Sequence, residues 1–264
     1  MKSGLVSISF RKIEVDKIIK ETKNSGLDFV EWGGDVHVPM GKVKLAGKTK
    51  RDTYAGGVQI ASYGSYYGVI YHCGETRPLN FKRVLRTAKA LGAKTIRIWA
   101  GWPSWGCRRG KGCYACKGSC SRGVRITREL CNLAKKFGMT ISIESHHATI
   151  TDDYHDTLDF IKQVGCDNLK VYWQPHPKKS HEYNKESLIA LLPYVSNVHV
   201  FNWRDGVKYP LKDAYDEWKE YIDILNDENA KDRILFLEFM PDGEITSLSE
   251  EAKTLNALIG GTNK

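Results

Sequence analysis

The stretch TISIESH, residues 140–146, is a short β-branched alternation that ends in a carboxylate and an imidazole. Alternation of this length is typical of a buried β-strand. A helical pattern at 127–137 precedes it and closes at Gly138, and another at 153–165 follows it and closes at Gly165. Glycine readily adopts the left-handed conformation that follows a helix. The segment therefore predicts a strand flanked by two helices, which is typical of α/β proteins.

The same unit of a strand and a helix recurs along the chain. Eight units in 264 residues predict a single (β/α)8 TIM barrel, with 1–264 as one domain. An open doubly wound sheet fits the sequence less well than a barrel, because no GxGxxG segment follows the first strand. The strand candidates are LVSISF (5–10), FVEWGG (29–34), VQIASYG (58–64), TIRIWAG (95–101), TISIESH (140–146), LKVYWQP (169–175), VSNVHVFNW (195–203) and ILFLEFM (234–240). Helical patterns lie at 15–25, 80–92, 127–137, 153–165, 184–194, 214–226 and 250–259.

Composition places the chain among globular proteins. Apolar residues make up 41% and charged residues 27%, and no apolar run is long enough to cross a bilayer. The first residues, MKSGLVSISFRK, lack the apolar core of a secretory signal. We therefore expect a soluble, cytoplasmic protein with no membrane partner.

The net charge of +9 is distributed unevenly along the chain. Residues 1–132 hold 25 basic and 9 acidic side chains, whereas residues 133–264 hold 15 and 22. Such a division is compatible with an anionic ligand, a nucleic acid or an acidic partner, and equally with solvated lysine-rich helices.

Three strand ends carry ionisable groups. Glu144, His199 and Glu238 each lie within an apolar strand, where an unpaired charge costs several kcal/mol. The carboxyl ends of barrel strands converge on one rim, so one Mn²⁺, Zn²⁺, Co²⁺ or Mg²⁺ ion would partner all three. Gln174 is a candidate fourth ligand. The alternative is that each group forms hydrogen bonds with its neighbours.

Several blocks together resemble the xylose-isomerase-like TIM barrels, the sugar (phosphate) isomerase/epimerase family that also contains ketose 3-epimerases and apurinic endonucleases. The resemblance extends over nearly the whole chain. The blocks are GLDFVEWGGDVHVP (26–39), SYGSYY (62–67), LGAKTIRIWAG (91–101), ISIESHHATITDD (141–153), VYWQP (171–175), HVFNW (199–203) and LEF (237–239).

The resemblance implies that Glu144, Gln174, His199 and Glu238 surround one divalent metal. It also implies that Glu144 and Glu238 act as acid and base on a proton next to a carbonyl. The reaction would be isomerisation or epimerisation of a small-molecule sugar through an enediolate, whose charge a bound cation stabilises. Barrels of this kind often pair, so a homodimer is also expected.

The sequence departs from the epimerase pattern at the sixth strand, where those enzymes generally have Asp and this chain has Gln174. Two carboxylates around a dication form a neutral site, so the ion would be a stronger Lewis acid that is held more weakly. The departure leaves open a lyase that removes a β-substituent from a keto-sugar or glycoside.

Other rim positions are candidate substrate contacts, because imidazole and guanidinium groups bind hydroxyls or phosphate and aromatic faces suit sugar rings. For Arg97 the alternative is an ion pair inside the barrel with Glu31 or Glu144. For the tryptophans the alternative is packing at the barrel mouth. The candidates are His37, Arg97, His146, His176, Arg204, Trp32, Trp99 and Trp173, and Trp203 is a further aromatic residue near a strand end.

A basic, cysteine-rich insertion (102–125) follows the fourth strand and is longer than such loops usually are. Its cysteines have the spacing C-x5-C-x2-C-x3-C, which is compatible with a second, structural metal site. Structural Zn²⁺, an iron–sulfur cluster and disulfides or free thiols all remain open. The four residues are Cys107, Cys113, Cys116 and Cys120.

Two other functional classes compete with the sugar enzyme. An apurinic endonuclease needs metal ligands on most strands, but the first, third and fourth strands end in Ser9/Phe10, Tyr63/Gly64 and Ala100/Gly101. No nucleic-acid partner is therefore expected. A non-catalytic binding barrel is the other alternative, and the presence of both Glu144 and Glu238 argues against it.

Overall fold

A computed structural model of the protein describes residues 1–69, 80–101, 117–147 and 149–260. Eight parallel strands in this part of the chain form a closed barrel in the order β1-β10-β7-β6-β5-β4-β3-β2. The barrel strands are β1 (Lys2–Val6), β2 (Phe29–Gly33), β3 (Gln59–Gly68), β4 (Thr95–Trp99), β5 (Thr140–Glu144), β6 (Leu169–Trp173), β7 (Val195–Val200) and β10 (Ile234–Leu237). An antiparallel hairpin of β8 (Asn202–Arg204) and β9 (Val207–Tyr209) follows β7.

Eight α-helices in the described part of the chain surround the barrel and confirm the predicted (β/α)8 class. They are α1 (Val15–Asn24), α2 (Val43–Ala55), α3 (Phe81–Leu91), α4 (Lys117–Lys135), α5 (Tyr154–Val164), α6 (His181–Leu191), α7 (Tyr215–Leu225) and α8 (Leu248–Gly260). None of these helices combines the length and apolarity that a membrane-spanning helix needs. The extent of the domain over the whole of 1–264 stays a prediction.

Helix α2 is absent from the sequence prediction. Its buried positions are Ala46, Thr49 and Thr53, so the face against the barrel is small and hydroxylated rather than a stripe of large apolar side chains. Thr53 also donates its hydroxyl to the carbonyl of Thr49 inside the helix. Periodicity of large apolar residues is the signal for an amphipathic helix, and this helix packs without it.

Several strand boundaries differ from the prediction. The third strand continues to Gly68 instead of ending at 64, and the last barrel strand ends at Leu237 instead of 240. The first strand lies at Lys2–Val6, and Ser7–Phe10 forms a 3-10 turn at its carboxyl end. The seventh barrel strand ends at Val200, because the chain then turns into the β8–β9 hairpin. Gly138 and Gly165 do have positive φ values of 64° after their helices, as the sequence predicts.

A small apolar cluster is buried separately from the main hydrophobic core. It consists of Val6, Ile8, Tyr172, Ile234 and Phe236. The Tyr172 ring stacks on Phe236 at 6.1 Å and meets the His199 ring edge-on at 5.2 Å. This apolar cluster therefore supports His199.

Arg233 stabilises the opposite, amino-terminal end of the barrel, where it precedes β10. The side chain is 2% exposed. It donates to the carbonyl of Leu225 at 2.7 Å and to the Asp227 carboxylate at 2.9 Å. One guanidinium thus joins the end of α7 to the start of the last strand.

Replacing Arg233 by Met should lower the free energy of unfolding by about 2–3 kcal/mol, because the Leu225 carbonyl and the partly exposed Asp227 carboxylate lose their charged donor. Urea denaturation measures the change. The matched control is Lys219→Met on the exposed face of α7, which should stay within about 0.5 kcal/mol of the wild type. An equally small effect of Arg233→Met would contradict the bridging role.

Candidate functional site

Four consecutive barrel strands bring their carboxyl ends together around His199. Glu144 ends β5, Gln174 follows β6, His199 lies in β7 and Glu238 follows β10. The Nδ1 atom of His199 lies 3.0 Å from Gln174 Oε1, 3.4 Å from Glu144 Oε1 and 3.5 Å from Glu238 Oε2. His199, Glu144 and Glu238 are all at most 5% exposed. The side chains that the sequence groups as metal ligands therefore do converge.

The spacing of these atoms fits a divalent cation. Ligands bound to a small dication at about 2.0–2.2 Å lie roughly 3.0–3.5 Å from their neighbours in the coordination shell. The candidate ligand atoms of Glu144, His199 and Glu238 all lie within 4.8 Å of one another. Carboxylate, imidazole and amide oxygen are also a donor set that Mn²⁺, Zn²⁺, Co²⁺ and Mg²⁺ accept. We therefore regard this group as the candidate metal centre.

A buried ion pair borders the candidate metal centre. Arg97 in β4 is 2% exposed and donates from Nε to Glu31 Oε1 at 2.7 Å. Its Nη1 donates to Glu144 Oε2, which also accepts from the indole N–H of Trp99. Ser62 donates to the second oxygen of Glu31 at 2.7 Å. Arg97 thus forms both ion pairs that the sequence analysis considered as alternatives to a substrate contact.

The buried charges of the centre do not balance without a cation. Glu31, Glu144 and Glu238 contribute three negative charges, and Arg97 contributes one positive charge. With neutral His199 the formal sum is −2. Uncompensated buried charge is strongly unfavourable, and a single dication would neutralise it.

The pKa values show the same imbalance. Burial opposes the charged form of Glu144, but Arg97 and then His199 outweigh it and hold the pKa of that carboxyl well below its ordinary value. In Glu31 the same opposition of burial and Arg97 leaves the pKa at about 2. Burial lowers the pKa of His199, yet Glu238 and its other carboxylate neighbours raise it to about 10. Burial, together with Glu144, raises the pKa of Glu238. Without a cation, the centre retains protons.

A cavity of about 190 Å³ opens above the centre. Glu144, Gln174 and Glu238 line its floor together with Arg97. Trp99 and His146 stack on each other at 4.7 Å along one wall. The predicted substrate contacts that line the cavity are Arg97, Trp99, His146 and His176, and Trp203 also lines it.

Four predicted substrate contacts lie elsewhere among the described residues. Trp32 and Trp173 are fully buried and donate to Thr53 and Ser187 on the surrounding helices. Adjacent strand residues point to opposite faces, so Trp32 points outward because Glu31 points inward.

His37 and Arg204 are also outside the cavity lining. His37 contacts Ser7 Oγ and the carbonyl of Ile13, each at 3.1 Å. The Arg204 side chain is 51% exposed and pairs with Glu217 at 2.6 Å. Three cysteines of the insertion, Cys107, Cys113 and Cys116, and the Cys120 side chain lie outside the described residues, so its metal site stays a prediction.

The structure adds residues that the sequence analysis did not assign to the site. Glu31 had a detectable signal, because it is a carboxylate inside the apolar run FVEWGG, just as Glu144 is in its own strand. Tyr66 and Phe239 line the cavity with positive φ values of 54° and 57°. Arg11 lies at the rim. No sequence pattern marks these three residues.

The comparisons with known proteins agree with this architecture. One similar structure is a 3-keto-D-glucoside 4-epimerase from E. coli, with 16% identity over 98% of each chain and a TM-score of 0.75. Another is a probable 3-DHS dehydratase from Bacillus anthracis, with 19% identity over 97% of this chain and 99% of that chain and a TM-score of 0.69. A third is a xylose isomerase-like TIM barrel protein from Mycobacterium smegmatis in complex with magnesium, with 13% identity over 100% of this chain and 98% of that chain and a TM-score of 0.71.

At these identities the three structures show the fold alone. No curated protein matches the sequence significantly. The family model described as xylose isomerase-like TIM barrel matches residues 19–258, which is most of the chain. The protein therefore belongs to the xylose isomerase-like TIM barrel family.

Proposed function

We propose that the protein is a divalent-metal-dependent sugar isomerase or epimerase. It would remove a proton from the carbon next to a carbonyl, and the reaction would proceed through the enediolate that forms. One observation supports this above all others. Three oxygen atoms, from Glu144, Gln174 and Glu238, surround His199 Nδ1 at 3.0 to 3.5 Å at the floor of a cavity. The similar structures include a sugar epimerase and a dehydratase, and the proposed substrate is a small sugar derivative.

Glu144, Gln174, His199 and Glu238 would hold the ion. When bound, a dication stabilises the negative charge that develops on the substrate oxygen. Glu238 lines the cavity. In isomerisation its carboxylate would take the proton from one carbon and return it to the neighbouring carbon, whereas epimerisation would need Glu144 to supply a proton from the opposite face. Arg97 and Trp99 hold Glu144 through Oε2, so that its Oε1 stays directed at His199. Trp99 and His146 would offer a flat wall to the sugar ring.

Lyase chemistry is the second candidate, and the bonding of Glu144 favours it. Epimerisation needs an acid and a base on opposite faces of the reacting carbon. Glu144 Oε2 already accepts from both Arg97 and Trp99, which restricts its movement as a proton carrier. In a syn elimination on a keto-sugar or glycoside, Glu238 could take the proton from the carbon next to the carbonyl and pass it to the β-oxygen on the same face, which leaves as water or an alcohol while the double bond forms. The probable dehydratase among the similar structures is consistent with this alternative.

Purified protein should bind one divalent ion per chain at this centre, and Mn²⁺ at about 100 times its Kd should stabilise it by roughly 2.7 kcal/mol. Glu238→Gln should weaken that binding at least tenfold, because it removes one anionic ligand. Thermal melts with elemental analysis give both quantities. Glu220→Gln, an exposed substitution on α7, is the control. Unchanged metal affinity in Glu238→Gln would contradict the assignment.

Metal affinity should rise with pH. The pKa of His199 is about 10 in the folded protein without metal, so at lower pH a proton must leave before Nδ1 binds an ion. We expect the apparent affinity for Mn²⁺ to increase about tenfold per unit between pH 6.5 and 8.5. The stability that the charged imidazole contributes is full below its unfolded pKa of about 6.5 and is lost as pH rises towards 10. Calorimetry in buffers of different ionisation enthalpy measures the protons released when the metal binds. An affinity for Mn²⁺ that does not change between pH 6.5 and 8.5 would contradict this prediction.

Proton exchange tests the chemistry itself. The metal-loaded protein in D2O should incorporate deuterium next to the carbonyl of at least one member of a panel of ketoses and keto-glycosides. Glu238→Gln, at a metal concentration that saturates the variant, should lower the exchange rate at least about 100-fold, because general base catalysis contributes that much. NMR of the recovered sugar gives the rate, and Glu220→Gln should match the wild type. Undiminished exchange in Glu238→Gln would exclude that glutamate as the base.

A further inference from the structure

A guanidinium stands at the rim of the cavity without a role in the metal centre. Arg11 follows the 3-10 turn at the end of β1, lines the cavity and has a side chain that is 43% exposed. It donates from Nε to Asp35 at 2.8 Å, from Nη1 to the Ile8 carbonyl at 3.2 Å and from Nη2 to the Tyr66 hydroxyl at 2.8 Å. These contacts fix the plane of the guanidinium.

Part of the donor capacity of this arginine remains available. A guanidinium has five N–H groups, and the contacts in the described part of the chain use three of them. One N–H on each terminal nitrogen thus has no contact in the described part of the chain, and terminal N–H groups of this kind bind carboxylate oxygens. Tyr66 accepts from Arg11 through its hydroxyl, so its own O–H can donate to the same ligand.

The charge of Arg11 is also incompletely neutralised towards the cavity. Asp35 contacts the Nε side and is not part of the lining, and partly exposed ion pairs contribute little free energy. The acidic residues that do line the described cavity are Glu144, Asp152 and Glu238. Two of these belong to the metal centre, and Asp152 contacts His176 at 2.8 Å.

The backbone at Tyr66 gives an independent reason to assign a function here. Tyr66 has a φ of 54° at an irregularity in the pairing of β3 with β4, between Gly64 and Tyr67. A non-glycine residue in this conformation is strained, and such residues cluster at ligand sites. The Tyr66 ring lies 5.7 Å from the Trp99 ring and 5.7 Å from the Arg97 guanidinium carbon. The strained turn thus places the phenol between the metal centre and Arg11.

We propose that Arg11 and Tyr66 bind a carboxylate of the substrate, so that the protein acts on an acidic sugar such as a uronate or a keto-aldonate. This inference rests on the proposed function, because it concerns the other end of the same substrate. A single guanidinium matches a planar monoanion. Arg11 alone would leave one charge of a phosphate dianion uncompensated, and among the described lining residues the other arginine, Arg97, is already paired with Glu31 and Glu144.

Two matched pairs of ligands test the inference: D-glucuronate against D-glucose, and D-gluconate against D-glucitol. Calorimetry with the Mn²⁺-loaded protein should show at least one acid bound tenfold or more tightly than its neutral partner. Arg11→Gln should remove that preference, so that the acid binds no more tightly than its neutral partner. Equal affinities in both pairs, or a preference that survives Arg11→Gln, would overturn the inference, since the carboxylate would then have another partner.

A control separates ligand binding from a structural ion pair. Asp35→Asn removes the negative charge of the ion pair but leaves the positive charge of Arg11, so it should keep or increase the preference for the acid. If the pair only held the rim in place, both variants would lose affinity together, and the inference would fail. Tighter binding of D-glucose 6-phosphate than of D-glucuronate would mean that the site prefers a phosphate to a carboxylate. That result would also overturn the inference.

The outcomes also distinguish the two proposals. Loss of the acid preference with deuterium exchange intact would remove only the carboxylate site. An intact acid preference without exchange in any sugar would remove only the proposed chemistry.

Discussion

Three carboxylates buried beside one arginine impose the main electrostatic constraint on this barrel. Glu31, Glu144 and Glu238 are at most 5% exposed, and Arg97 is their buried guanidinium partner. Arg97 compensates one of the three charges and leaves a formal deficit of two. Protonation of His199 reduces the deficit in part, which is why its pKa is raised to about 10. A dication would neutralise the remaining negative charge and release the proton from His199. Metal binding and the protonation of His199 are therefore coupled at this site.

The parallel barrel creates this arrangement by directing alternate strand residues inward. Glu31 points into the barrel and the neighbouring Trp32 packs against α2 through its bond to Thr53. In β6 the inward Tyr172 supports His199, whereas Trp173 bonds to Ser187 of α6. The same alternation therefore supplies both the polar centre and the aromatic packing between strands and helices.

Much of the fold and the centre of the site could be predicted from the sequence. Repeated strand and helix patterns are local signals, and an acid inside an apolar strand, such as Glu144, stands out because burial of charge is costly. Helix α2 lacked the apolar stripe that periodicity detects. Tyr66 and Phe239 could not be assigned to the cavity because their left-handed backbone depends on tertiary packing. The inward or outward direction of Trp32 and Trp173 required the strand register.

The centre and the rim are electrostatically distinct, and this difference favours separate roles for them. A dication would make the centre formally neutral, so it would exert little net attraction on a charged substrate from a distance. Among the described residues that line the cavity, the proposed carboxylate site makes Arg11, at 43% exposure, the group that would select for charge. Its position depends on a turn after β1 and on the strained Tyr66 within an irregularity of β3. Both lie outside the strands that hold the candidate ligands. Changes in these two segments can therefore alter substrate choice without disturbing the ligands, which is how one barrel serves many substrates.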